Sequence, residues 1–331
     1  MNLLISLLAQ VQPPPEPVAT GASGLDKLLN TLWDGFALGA LYALLALGFV
    51  VIFKATQVVN FSHGALAGLG AFLVAAFAVT LNIPGRWIPG APEWLQWSLS
   101  ALFAIGASAL VGMALERVFI RPMIGEPLFS VAIITLGIDI VVRTITDDFI
   151  GTDIRPMGDP WGATVIDLGP VVIPQVTIVQ FAVTVVLMVG VALFFRSRTG
   201  VAMRATAFDQ EAAMAQGIGV GKIFGIAWAI GAGMAAVGGM FAAMFPRATG
   251  VSAATAFIAF RAFPAVIIGG LDSIVGAVVG GLMVGLAEAA VGTYVTGMGT
   301  GFAGIIPYVL MLAVLFVRPY GLFGTREVIR V

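Results

Sequence analysis

The chain has 331 residues, of which 60% are hydrophobic and only 10% charged, with a net charge of −1 and a mean hydropathy of +1.05. Soluble domains carry about 25% charged residues, so this composition excludes an ordinary soluble domain, and the near-zero net charge offers no footing for nucleic acid. The absence of cysteine excludes thiol catalysis, disulfides and Cys-type metal sites, and the one histidine, His63, cannot build a multi-histidine centre.

The predicted fold is all-α, a polytopic membrane-spanning helical bundle, because the apolar runs are long and do not alternate as β-barrel strands do. Met1 to Val11 is apolar but too short to span, lacks a basic start, and is followed by the helix-breaking Gln12–Pro17. Residues 1–30 are therefore expected to form a poorly fixed or interfacial leader, uncleaved in preference to the alternative of a removed signal, and residues 31–331 a single transmembrane domain. Leu32 to Phe53 is the first predicted span, and Val58 to Thr80 the second. A Trp- and Pro-rich interfacial loop over 82–97 follows. Further spans are expected at 95–115, at 128–146 with Asp139 and Arg143 inside it, at 176–195 and at 223–245. An acidic loop, Asp147 to Pro174, separates the fourth span from the fifth. Ala253–Gly270 and Ile274–Val291 are apolar except for Arg261 and Glu288, and the last span covers about 301–317.

The longest cationic interruption is residues 196–222, with Arg196, Arg198, Arg204 and Lys222. A basic loop between spans stays in the cytoplasm. Within it, Gln210–Gly217 reads as a short amphipathic helix that Gly217 ends by taking a left-handed cap conformation. A short helix shown to the cytosol suggests a docking element for a soluble partner. Keeping Lys54, Arg117, Arg121, this loop, Arg318, Arg326 and Arg330 on the same side requires 246–292 to cross twice or form a re-entrant pair. The expected count is eight to nine spans, with the N-terminus outside and the C-terminus inside.

Two regions share a glycine-punctuated, polar-centred character: NFSHGALAGLGAF from Asn60, and FPAVIIGGLDSIVGAVVGG from Phe263. Paired interrupted segments point to an inverted repeat with a solute path at the interruptions. Asn60, Ser62, His63, Gly64 and Gly68 are candidates to line that path, as are Gly269, Gly270, Asp272 and Ser273. A free helix N-terminus near His63 would attract a carboxylate. The alternative is that Asn60, Ser62 and His63 cap the cytoplasmic end of the second span, and that Asp272 and Ser273 cap a half-helix. Asp139 and Arg143 are four apart and are expected to pair near the external interface. Arg261 and Glu288 either pair across the interrupted segments or snorkel to opposite interfaces.

In order along the chain, GFALGALYALLALG (35–48), VNFSHGALAGLG (59–70), AFDQEAAMAQGIGVGK (207–222), FPAVIIGGLDSIVGAVVGGLMVGLAE (263–288) and VRPYGLFG (317–324) resemble the permease subunits of branched-chain amino acid ABC importers. That family also contains urea and amide permeases. The resemblance implies an EAA-type coupling loop at Asp209, Glu211, Ala212, Ala213 and Gly217, seated in a cleft of a cytoplasmic ATPase. It further implies a second permease subunit, two ATPase subunits that bind ATP and Mg²⁺, an external solute-binding protein and a bacterial inner-membrane location. Consistently, the chain has no GxxxxGK[ST] phosphate loop of its own, so no cofactor and no catalytic or metal-binding residue is assigned to it. Ala65 follows Gly64 where many relatives have an acidic residue, so no carboxylate role is carried over there. Two other classes compete. A self-contained ion-coupled transporter or channel needs proton or ion relays, for which only Asp139, Glu288 and His63 are available. An intramembrane enzyme lacks an HExxH motif or a carboxylate pair.

Overall fold

The computed structural model describes residues 24–151, 153–295 and 301–325. The expected leader falls outside the described residues as far as residue 23, while Gly24–Asn30 form the first turns of a helix. Among the described residues there are eleven α-helices: α1 Gly24–Thr56, α2 His63–Ala75, α3 Glu93–Leu115, α4 Leu128–Ile150, α5 Gln175–Arg196, α6 Arg198–Phe208, α7 Gln210–Ala215, α8 Val220–Ala242, α9 Ile258–Gly269, α10 Ile274–Tyr294 and α11 Ile306–Val317. Seven helical stretches are long and apolar enough to cross a bilayer. Two shorter apolar helical stretches, Ala253–Gly269 and Phe302–Val317, accompany them among the described residues.

Burial separates centre from rim. In their most apolar windows α1 and α8 are each 83% buried, against 22% for α5 and 28% for α3 and α4. The central helices owe this to small residues. Gly35 and Gly39 of α1 meet Leu286 and Leu282 of α10, and a Cβ on Gly281 or Gly285 would overlap the α1 backbone at Ala43 or Gly39. Backbones can approach so closely only where a side chain is missing, and in lipid that close packing replaces the hydrophobic drive to associate. The rim helices instead expose large aliphatic residues such as Leu110, Val186 and Leu312.

The two ends of the bundle differ. At one end lies a short antiparallel hairpin, β1 Val165–Asp167 with β2 Val172–Pro174, turned at Gly169 and held to α1 by Asn30. The Asn30 amide donates to Pro170 O at 2.8 Å and accepts from Val172 N at 3.0 Å. At the other end the last turns of α1, α3 and α5 meet α6, α7 and the start of α8. Lys54 donates to the Asp272 carbonyl and stands 5.6 Å from the Phe195 ring. Arg121 binds Glu116 at 2.8 Å and donates to Gly221 O at 2.8 Å, hooking the end of the α3 segment to the first turn of α8.

Both glycine-punctuated regions are breaks in helix. Residues 57–62 are not helical and join α1 to α2; residues 270–273 form a turn between α9 and α10. The first break is not at the bundle end. The His63 ring that follows it packs on Gly48 and lies 4.2 Å from the Phe49 ring, about two turns inside the end of α1.

Candidate functional site

The cationic loop is two helices. Ser197 caps α6, its Oγ accepting from Gly200 N at 3.2 Å, and the buried side chains of Met203 and Thr206 face the bundle. The Arg204 guanidinium closes the junction onto Phe195 O. Asp209 then caps α7, its Oδ1 accepting from Ala212 N at 2.9 Å. An N-terminal carboxylate cap satisfies a free N–H and suits the positive end of the helix dipole. Glu211 and Ala212 are exposed, whereas Ala213 is buried. The stop is a Schellman turn: Ile218 N donates to Ala213 O at 3.0 Å, Gly217 N donates to Met214 O at 2.9 Å, and Gly217 has φ +80°. The five expected coupling residues thus sit together on one capped, outward-facing element. Phe208, 94% exposed, stands at its entrance. Behind α7 a cavity of about 570 Å³ opens toward Gln57, Met123 and Glu126.

The path candidates fall into two groups. Asn60, Ser62, His63, Gly64 and Gly68 are all buried. Asn60 Oδ1 accepts from Ser62 N at 3.1 Å and from Ser62 Oγ at 2.6 Å, a side-chain-closed turn. Ser62 makes no side-chain cap to α2. The α4 helix supplies the missing partners. Thr135 Oγ1 accepts from Phe61 N at 3.1 Å, and the Asp139 carboxylate interacts with the Ala65 N–H in the first turn of α2. The position where a solute carboxylate was expected to be attracted thus holds a carboxylate of the chain itself. Asp139 and Arg143 do pair, at 3.1 Å, but Asp139 is buried against α2. Both ring nitrogens of His63, Asn60 Nδ2 and Trp228 Nε1 are buried without a hydrogen-bond partner.

Gly269, Gly270, Asp272 and Ser273 lie at the α6–α7 end. Gly270 has φ +102°. The C-terminal segment closes on this turn through Leu322 N to Ile268 O at 2.8 Å and Phe323 N to Gly269 O at 3.0 Å. Ser273 caps α10 by accepting from Gly276 N at 3.0 Å, and the Asp272 carboxylate accepts from Thr325. Arg326 and Arg330 lie outside the described residues.

A polar cluster in the bundle interior brings in residues that the sequence reading passed over. Glu288 accepts from Tyr42 OH at 2.7 Å and pairs with Arg261 at 3.3 Å, so the pairing alternative holds and the snorkelling one does not. Nearby, Arg247 donates to Gln180 Oε1 at 3.0 Å, and Gln180 Nε2 donates to Ala37 O at 2.7 Å. Gln180 and Arg247 carried no motif, and Tyr42 lay inside the 35–48 segment without being singled out. Their only signal was a lone polar group in or beside an apolar span, which marks a functional position in membrane proteins. An unpaired arginine at the centre of a span costs about 2.5–3.5 kcal/mol on insertion scales, and Glu288 offsets that for Arg261.

Residues 31–315 match the family described as the branched-chain amino acid transport system permease component. The chain is 32% identical over 317 residues to the high-affinity branched-chain amino acid transport system permease protein BraD of Pseudomonas aeruginosa, covering 92% of this chain and 98% of that protein. It is 29% identical over 314 residues to the corresponding permease protein LivH of Escherichia coli, covering 92% and 97%.

Proposed function

We propose a mechanism from one premise: the chain belongs to the branched-chain amino acid transport permease family. It is a multi-pass membrane permease subunit of an ATP-binding cassette importer. We assign to it the movement of branched-chain amino acids across a bacterial inner membrane. We assign the hairpin end to the outside and the α6–α7 end, where Lys54, Arg121, Arg196, Arg198 and Arg204 gather, to the cytoplasm. Its partners are a second permease subunit, two ATPase subunits that hold ATP and Mg²⁺, and an external solute-binding protein. The chain itself performs no chemistry.

The observation that carries this reading is α7, a helix capped at both ends whose Glu211 and Ala212 face outward. In this reading a cleft of the ATPase receives α7, with Glu211 meeting a basic side chain. Closure of the ATPase pair displaces α7. Only residues 216–219 separate α7 from α8, and Arg121 ties the start of α8 to α3. The stroke therefore enters the buried centre of the bundle directly.

The test is a pair of variants, Glu211→Arg and Gly217→Val, expressed with the partner subunits. Glu211→Arg reverses the contact charge, and Gly217→Val forces a β-branched residue into a left-handed turn at a cost of about 1–3 kcal/mol. Both are expected to lose co-purification with the ATPase and ATP-driven leucine uptake, while the permease still reaches the membrane. Full assembly and uptake in both variants would remove α7 from the coupling role. Ion-driven uptake by the chain alone in liposomes would instead establish a self-contained transporter.

A further inference from the structure

Arg261 is the only charged residue of α9, and its side chain is 53% exposed. It stands deep in the bundle. It pairs with Glu288, which accepts from Tyr42, and Tyr42 lies midway along α1 between Asn30 and Lys54. Roughly 18 Å of helix separates Tyr42 from the polar contacts at either end. Of the rim helices, α5 has no charged residue before Arg196 and α11 has none, while α4 keeps its Arg143 paired with the buried Asp139. A surface made for acyl chains does not present an exposed charge at this depth. The outward face of α9 therefore meets water, a polar ligand or the second permease subunit, and not acyl chains.

The neighbours of Arg261 suggest which ligand. Phe257 and Phe260 are exposed, with ring centroids 6.1 Å apart, and they share one helical stripe with Arg261. Arg143 covers one side of the Phe257 ring at 5.2 Å and is itself occupied by Asp139. In Arg261 only Nη1 is engaged, by Glu288 Oε1. No described residue accepts from its Nε or Nη2. Gly304 faces the fork from the turn before α11, where a Cβ would stand 3.4 Å from Nη2. The missing side chain leaves that edge of the guanidinium open.

We infer that Arg261, Phe257 and Phe260 form a subsite on the wall of the solute path that takes a small amphiphilic carboxylate. The open fork of the guanidinium binds the carboxylate through paired N–H donors. The two rings receive the aliphatic side chain. Glu288 and Tyr42 are positioning residues that hold Arg261 in this pose. The inference rests on the permease reading, since it deepens the substrate assignment of the same protein.

The absence of native cysteine permits a direct test in the full transporter complex. Phe257→Cys and Phe260→Cys are each exposed to a membrane-impermeant thiol reagent, with Leu110→Cys on the rim as the comparison. A thiol reacts as its thiolate, which forms in water and not among acyl chains, so the α9 positions should label at least about tenfold faster than Leu110→Cys. Excess L-leucine should slow that labelling severalfold, leucinamide should not, and adding Arg261→Gln should abolish the protection. Labelling as slow as at Leu110→Cys would overturn the inference. So would fast labelling that leucine does not slow, or protection that survives Arg261→Gln. ATP-driven leucine uptake by the unmodified complex is measured alongside. Its absence with protection intact would strike the transport reading and leave the subsite standing.

Discussion

The helix breaks at 57–62 and 270–273 use the same kinds of residue and satisfy their backbones by different means. The turn at 270–273 lies at the bundle end and finds its partners nearby: Ser273 caps its own helix, and the last described residues of the chain bond to Ile268, Gly269 and Asp272. The break at 57–62 runs beside buried α1 residues and borrows from a rim helix, taking the Thr135 hydroxyl of α4 and standing beside its buried Asp139. A chain that leaves its helix in a dry interior must bring polar partners with it. The borrowed set is also incomplete, for His63, Asn60 and Trp228 retain unpartnered nitrogens. One break is a closed latch, and the other is a braced opening with unsatisfied groups inside.

Substitutions can break or sharpen this contrast. The largest effect is expected from Asp139→Ala, which strips the brace from α2 and leaves Arg143 without its partner. Losing one member of a buried ion pair costs about 3–5 kcal/mol, so the purified complex in detergent should unfold far below the unmodified one. An unchanged unfolding midpoint would show that α2 needs no brace. A smaller loss is expected at the latch. Gly270→Ala puts a side chain at φ +102° and against Gly324, a strain of about 1–3 kcal/mol, and should free the C-terminal segment to proteolysis. If Gly270→Ala proves more damaging than Asp139→Ala, the two breaks have their roles reversed. The smallest effect is expected from His63→Leu. It removes two unpaired nitrogens from an apolar pocket, and the midpoint should stay within about 1 kcal/mol or rise. A fall of more than about 2 kcal/mol would reveal partners for the ring. Uptake lost at an unchanged midpoint would place His63 on the path.

Much of this was legible in the sequence. Apolar runs of spanning length located the long helices, and the Asp209-to-Gly217 pattern located α7, because caps are local chemistry written within a few residues. Glycines beside Asn60 and Asp272 marked both breaks. They did not show that one break turns back into the bundle and the other stays at its end, since a helix stop carries no record of where the chain goes next. The Asp139–Arg143 pair was readable from its spacing, but its service to Ala65 was not. Tyr42 and Glu288, 246 residues apart, become partners only because α1 and α10 pack side by side.

The glycine seam between α1 and α10 restricts how this permease can move. Where Gly281 and Gly285 rest on the α1 backbone, there is no layer of side chains to slide or re-pack. A shear of even one helical turn would move Leu282 or Leu286 off the gaps at Gly39 and Gly35 and drive one of them against Ala43 or Thr31 of α1. The two helices must therefore travel as one body, carrying Tyr42 and Glu288 with them at fixed spacing. Any opening and closing has to occur along boundaries other than this seam, and the polar centre of the molecule rides on its stiffest part.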